Sequence, residues 1–441
     1  MIRRRLNFKI LVIFLIFLLG FFLRFHNFAI YPQRGATHDE FAFAFLGISF
    51  LQKGIPSSWS NIPVYQDRYY LKANDTRYSI VTPYFDHPPL FGLLTGGFAL
   101  LNGEREFSKV KLSTIRLVPV ILGSFSIVLL FILCQSLYGF KTAVISSLVF
   151  ATVPTYAISS RMSLAENLLI PQILLALILF EKLLKEERKN LVYLLGFLAG
   201  LAFLTKFVGL FVWLTLLLLF LYEPRARKHI LPFSVITFLV GSVYFLYGFA
   251  LDKTLFLKIL SFQGAREVGP FSFLNLFLTP AIVNKIFVDG WVYFGWFALI
   301  ILAYRSKENI KVVLPAFCYL LVFVLTVNQG DLHSWYNYPF YPFLAIASGK
   351  LIGEMLKKPS FLNIIFLLTA GLSAVNLTYF NTLGLSPTFF RILVLLFFLP
   401  FFFEAFRIKR LDHLVRRLFI FYLVILFFLN IVSVISFVHP A

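Results

Sequence analysis

Apolar runs of about 20 residues recur along this chain from one end to the other. A helix rising 1.5 Å per residue needs a run of that length to cross a hydrocarbon core of roughly 30 Å. The runs are too many to share one water-soluble core. Of the 441 residues 59% are hydrophobic and 57 are Phe, where soluble domains stay near about 45–50% apolar. Lipid is therefore the solvent, and the sequence predicts an all-α polytopic membrane protein.

The formal net charge is +20. In a soluble chain that would suggest nucleic acid. Here the basic residues sit between apolar runs, where membrane topology accounts for them. No basic face with interleaved aromatics occurs outside the membrane segments, so nucleic acid is not an expected partner. Cys134 and Cys318 fall inside predicted helices and are expected to pack as small apolar residues without a disulfide. Arg3-Arg4-Arg5 followed by an apolar stretch to Leu23 imitates a signal peptide. The stretch is long for one, and Arg24-Phe25-His26 is a poor cleavage site, so a retained first helix is expected.

About thirteen spans are expected, at roughly 8–26, 116–138, 141–159, 166–184, 190–204, 206–222, 230–251, 288–304, 311–328, 336–356, 361–379, 388–406 and 418–437. Residues 190–222 also read as one long broken helix. With the N-terminus inside, about 23 of the 40 Lys and Arg fall in short inner segments. The C-terminus, Val438-His439-Pro440-Ala441, is then outside. Two large outer loops result, 27–115 and 252–287. The first holds two amphipathic stretches, Phe41–Leu51 and Pro89–Leu101, suited to helices lying along the membrane surface. Pro56–Thr82 between them is polar and turn-rich. Neither loop reads as a separate folded domain. A division into 1–350 and a C-terminal region 351–441 follows from the motifs.

Ionisable residues near a membrane are costly, and each calls for a reason. Five clusters fall on the outer face. Thr37-His38-Asp39-Glu40 precedes an apolar helix, where an acid suits either the helix dipole or chemistry. Tyr84-Phe85-Asp86-His87-Pro88-Pro89-Leu90 places an acid and a His before two prolines that fix the chain. It also reads as a turn entering a helix. Arg161 and Glu166 share a short outer turn. Lys206 lies between two spans, where a lone Lys also snorkels to headgroups. Gly330 to Pro339 contains His333, Trp335, Tyr336 and Tyr338, which equally suit an interfacial belt. Together they suit a site in which one acid takes a proton from a hydroxyl and cations hold a phosphate.

These residues resemble the membrane-embedded, lipid-dependent glycosyltransferases of the GT-C superfamily. The branch most alike is that of the protein O-mannosyltransferases and aminoarabinose transferases, glycosyltransferase family 39-like. Asp39-Glu40 matches the acidic pair of the first outer loop. Asp86-His87-Pro88-Pro89-Leu90 matches an acid before a Pro-Pro-Leu turn. Arg161 with Glu166, Gly196 to Lys206, and Trp335 to Pro342 match later motifs more loosely. The likeness covers about residues 1–350.

The resemblance implies a GT-C-type bundle and an inverting transferase. Its donor is a sugar on a polyprenyl phosphate, and its acceptor is a hydroxyl on a glycan, lipid or protein. Asp39 is implied as the base, with Asp86 and Glu40 also catalytic. Arg161 and Lys206 are implied as phosphate ligands. His87, Glu166, His333, Tyr336 and Tyr338 are implied around the substrate. Some relatives use a divalent metal near the acids, for which His38, Asp39, Asp86 and His87 are the candidates. No large soluble domain is inserted between later spans, which sets the chain apart from the protein mannosyltransferases. The implied location is the cell membrane, with the active site extracytoplasmic. The rival classes are a transporter or flippase of lipid-linked sugars and a glycan polymerase or ligase. A transporter favours midplane charges in matched halves, whereas the charges here gather at one face.

Overall fold

The computed structural model describes residues 2–73, 76–278, 289–330, 333–358, 362–371, 386–389, 391–392, 395–396, 398 and 412–438. Helix α1 is Ile2–Phe25. The two surface stretches are helices, α2 (Asp39–Lys53) and α3 (Leu90–Leu101). The bundle continues with α4 (Leu112–Tyr138), α5 (Phe140–Thr152), α6 (Pro154–Ser159) and α7 (Glu166–Glu186). It goes on through α8 (Asn190–Thr205), α9 (Leu210–Tyr222), α10 (Ile230–Gly264) and α11 (Phe271–Leu278). Then come α12 (Gly290–Tyr304), α13 (Ser306–Thr326), α14 (Tyr341–Met355), the short α15 (Leu362–Phe366) and α16 (Asp412–Ile435).

Among the described residues, six helices are long and apolar enough to cross a membrane by length and composition, and five apolar helices are shorter. The expected count of thirteen is not reached among them. Spans 361–379 and 388–406 fall largely outside the described residues, as do Arg407, His439 to Ala441 and Asp331.

Local sequence explains the breaks. Gly139 adopts φ 86° and separates α4 from α5, a conformation cheap only for glycine. Pro154 holds Val153 extended at ψ 124°, so the expected span 141–159 is two helices. Lys206 is extended, at φ −164° and ψ 150°. Residues 190–222 are therefore two helices joined at Lys206.

Helix α10 departs from expectation. It was expected to stop near 251 and open into a loop. Asp252 is non-helical and the helix resumes beyond it. The Phe256 ring lies 5.2 Å from that of Tyr244 and 5.5 Å from that of Phe249. Twelve residues of straight helix would separate Tyr244 from Phe256 by about 18 Å. The second half of α10 therefore folds back on the first.

The stretch 56–82 also holds more order than a turn-rich loop. Strands β1 (Ser58–Trp59), β2 (Tyr69–Ala73) and β3 (Thr76–Val81) form an antiparallel sheet in the order β1-β3-β2. Ser58 faces Val81, and Tyr69 faces Ile80. Strands of two to six residues give little periodicity to detect.

Polar contacts sort the helix ends into two sets. At one end Tyr138 donates to Asn309, Lys311 pairs with Glu181, and Arg305 pairs with Glu354. At the other end Glu40 meets Ser163, Glu166 meets Lys206, and Asp289 meets Thr155. Cys134 and Cys318 are free and buried.

Candidate active site

Helices α2 and α3 carry the two acidic motifs. Asp39 opens α2, and Asp86-His87 lies just before α3. The pair crosses on glycines. A Cβ on Gly47 would lie 1.8 Å from the Gly92 carbonyl oxygen, and one on Gly96 would lie 2.4 Å from the Ile48 nitrogen. No side chain fits there, so the glycines bring the two helix axes close.

Glu40 anchors this hairpin to the bundle. Both its oxygens accept from Arg116, at 2.8 Å each, and the Ser163 N–H donates to it at 2.8 Å. Arg116 also donates to the carbonyls of Phe28 and Pro32. This forked pair is fully buried. Glu40 is thereby committed to structure. Arg116 is not among the residues singled out from the sequence.

Asp39 is half-buried, one residue before Glu40. His38 is the N-cap of α2, and the His38 side chain makes no cap bond. Burial raises the Asp39 carboxyl to about 6; Lys206 opposes the rise, and Glu166 and Glu40 add to it. Asp86 is held from several directions. The Tyr65 hydroxyl donates to its Oδ1 at 2.7 Å and accepts from the Phe85 N–H at 2.8 Å. Gln263 donates to the Asp86 carbonyl at 2.8 Å, and Tyr244 donates to that of Phe85 at 2.6 Å. Burial raises the Asp86 carboxyl to about 6, against hydrogen bonds from Ser60 and Tyr65 and the charges of Arg266 and Arg68.

A cavity of about 320 Å³ is lined by His87, the chain neighbour of Asp86, and by Gln263, which holds the Asp86 carbonyl. His87, Lys206, Gln263, Arg266 and Tyr336 give it a polar end. Phe203, Phe207, Leu210, Leu260, Val268 and Leu325 make the rest apolar. Lys206 Nζ sits 2.5 Å from Glu166 Oε1 and 4.9 Å from the centre of the Tyr336 ring. The His87 ring stacks on Phe43 at 5.5 Å. Burial, then Lys206 and Arg266, lower its basicity well below the usual value, so it is neutral. Such a cavity suits a ligand with an anionic head and an apolar tail.

The structure thus brings Asp39, Asp86, His87, Glu166, Lys206 and Tyr336 together. It does not bring Arg161. That guanidinium is fully buried and donates to the Leu23 and Val434 carbonyls, joining α1 to α16. Arg161 does not line the cavity beside Lys206, and its Nε and Nη1 have no hydrogen-bond partner among the described residues. His333 is exposed and stacks on Trp335 at 4.2 Å. Tyr338 is buried, donating to the Met162 sulfur at 3.5 Å. His38 packs against the Trp59 and Tyr78 rings. Among the described residues, no three His, Cys, Asp or Glu side chains gather as a metal-ligand set. The four metal candidates therefore do not fit such a site.

Arg266 and Gln263 were missed because they sit beyond the fold-back in α10, in what read as loop. Tyr65 was missed because it lies in the stretch that forms the small sheet. Their signal is tertiary.

The model for the dolichyl-phosphate-mannose-protein mannosyltransferase family matches residues 86–251. That segment includes Asp86, His87, Glu166 and Lys206, and leaves out Asp39 and Arg266. No curated protein matches by sequence. Among solved structures, ArnT from Cupriavidus metallidurans in the apo state is 15% identical with a TM-score of 0.58, over 98% of this chain and 77% of that one. The same protein bound to undecaprenyl phosphate is 15% identical with a TM-score of 0.55, over 98% and 76%. The archaeal oligosaccharyltransferase AglB from Archaeoglobus fulgidus, in complex with an inhibitory peptide and a dolichol-phosphate, is 13% identical with a TM-score of 0.56, over 99% and 57%. The chain is an integral membrane protein with the fold of the GT-C glycosyltransferases, similar over residues 86–251 to the dolichyl-phosphate-mannose-protein mannosyltransferases.

Proposed function

We propose that this protein is an inverting glycosyltransferase that moves a sugar from a polyprenyl phosphate to an acceptor hydroxyl. One observation carries the reading: a cavity with two cations at its polar end and an apolar body is lined by Lys206, whose charge acts on Asp39, and by His87 and Gln263, which adjoin Asp86. The polar end suits a lipid phosphate, and the apolar body suits the first isoprene units. The undecaprenyl phosphate bound by ArnT is consistent with such a donor.

Asp39 takes the proton of the acceptor hydroxyl. The oxygen then forms a bond to the anomeric carbon from the side opposite the phosphate. The bond from that carbon to the phosphate oxygen breaks, and its electron pair leaves on the polyprenyl phosphate. Lys206 and Arg266 hold that charge, which preorganised cations stabilise without reorganising. Asp86 positions the acceptor. Glu40 keeps Asp39 in place through Arg116. No step runs through a metal. The acceptor is a glycan, lipid or protein on the extracytoplasmic face of the cell membrane. The charges gather at one end of the helices and not at a midplane path, which favours transfer over transport.

The test uses purified protein in liposomes with polyprenyl-phosphate sugars, product being read by mass spectrometry. Transfer is expected from the wild type and is lost on Asp39→Asn, which keeps its melting profile. Near-normal turnover by Asp39→Asn would remove Asp39 as base. Mass spectrometry of lipid-linked sugars and surface glycans, with and without the protein, identifies the sugar and acceptor.

A further inference from the structure

Lys206 is not a bare cation. Glu166 lies behind it, fully buried, and does not line the cavity. One oxygen holds Lys206 Nζ at 2.5 Å, and the other, Oε2, has no hydrogen-bond partner among the described residues. A buried carboxylate with a free oxygen is costly unless its charge is used. Its effect on the cavity is clear: it cancels most of the charge that Lys206 presents there. Among the described residues, Arg266 is then the cation at the polar end with no carboxylate at contact distance. His87 is neutral and adds no charge.

The two cations that line the cavity and the carboxylate in contact with one of them thus sum to about one net positive charge. That value separates the two forms of a lipid phosphate. A sugar-linked phosphate is a diester with one negative charge. The phosphate left after transfer is a monoester, whose second proton leaves near about pH 6. Above that pH it carries up to two charges. We propose that Glu166 acts through Lys206 as a specificity-determining residue, matching the cavity to the singly charged diester donor and disfavouring the doubly charged monoester product. This rests on the lipid-phosphate reading of the cavity and assigns how its charge is set. Product release then follows from ionisation of the product, with no need for a large motion.

Asp39 and Asp86 do not line the cavity; their carboxylates act in the same sense, and that of Asp39 acts on Lys206 more weakly than that of Glu166. They differ from Glu166 in facing the acceptor, while Glu166 touches the cation itself. Glu40 is occupied by Arg116 and contributes little to the balance.

Binding decides the proposal without turnover. Farnesyl phosphate and its methyl diester are titrated onto the detergent-purified protein at about pH 8, above the second phosphate ionisation. Wild type is expected to bind the diester at least as tightly as the monoester. A tenfold preference for the monoester overturns the proposal. Glu166→Gln, which keeps a hydrogen-bonding side chain against Lys206, is expected to tighten the monoester about tenfold relative to the diester. Glu166→Asp is expected to retain the wild-type ratio. An unchanged ratio in Glu166→Gln, or an equal shift for both lipids, overturns it. If Glu166→Gln does not fold, the wild-type ratio still decides. Binding of neither lipid to the wild type defeats the lipid-phosphate reading itself, and this proposal with it.

Discussion

A general base works best when its proton affinity lies near the working pH. Asp39, raised to about 6 by burial, meets that condition without a His. As a base it must be ionised, so it acts above its pKa and fails below it. kcat/KM is expected to fall about tenfold per pH unit below about pH 6, read from a pH–rate profile of the reconstituted protein. A flat profile between about pH 5 and 8 would retire Asp39 as the titrating base. Asp86 offers a second test. Tyr65 donates to the ionised carboxyl, and that bond lowers its pKa. Tyr65→Phe removes the bond and strands the Phe85 N–H, so the Asp86 carboxyl rises further. About a tenfold loss of kcat/KM is expected, with the acid limb of the profile moved upward and not downward. At this scale the sequence told much. Asp39, Asp86 and Lys206 stood out because a charge beside lipid is costly. Arg161 stood out for the same reason, but its Nη2 donates to the Leu23 and Val434 carbonyls, which no sequence pattern announces.

The α2–α3 hairpin is the element that sets the site. It was legible as two helices, because each is an apolar stretch with a clear entry signal. Their crossing was not legible, because it depends on which glycines face each other. Gly47→Val puts branched carbons where a Cβ already meets the Gly92 oxygen at 1.8 Å. A loss of about 1–3 kcal/mol is expected from such overpacking, read by denaturation in detergent. Activity is expected to fall further than stability, since Asp39 moves relative to Asp86. The Glu40–Arg116 fork gives a sharper outcome. Glu40→Gln leaves a buried guanidinium without its carboxylate, and about 3–5 kcal/mol of stability is expected to be lost. A variant as stable as the wild type would show that the fork does not hold the hairpin. The fold-back in α10 was not readable at all. Asp252 looks like any acid ending a span, and only packing of Phe256 against Tyr244 shows the reversal.

For the whole molecule, the helix ends fall into two sets, and the charge count proposes which set is cytoplasmic. Arg34 and His333 are exposed at the end that carries the site, and Lys189 is exposed at the other. Single cysteines at Arg34 or His333 are expected to react with an impermeant maleimide in intact cells. A cysteine at Lys189 is expected to react only after permeabilisation. The native Cys134 and Cys318 are buried and give little background. The reverse pattern would invert the proposed orientation and move the site to the cytoplasmic face.

Apolar runs and the charges between them determined the class of this protein, since hydrocarbon admits no unpaired backbone and few free charges. They also fixed most helix positions and the candidate acids. Tertiary structure alone decided which charges work together. Glu40 went to Arg116, Arg161 to backbone carbonyls, and Lys206 to Glu166 beside Arg266. The reason is physical: the sequence sets what each charge costs, but the partner that meets the cost is a neighbour in space.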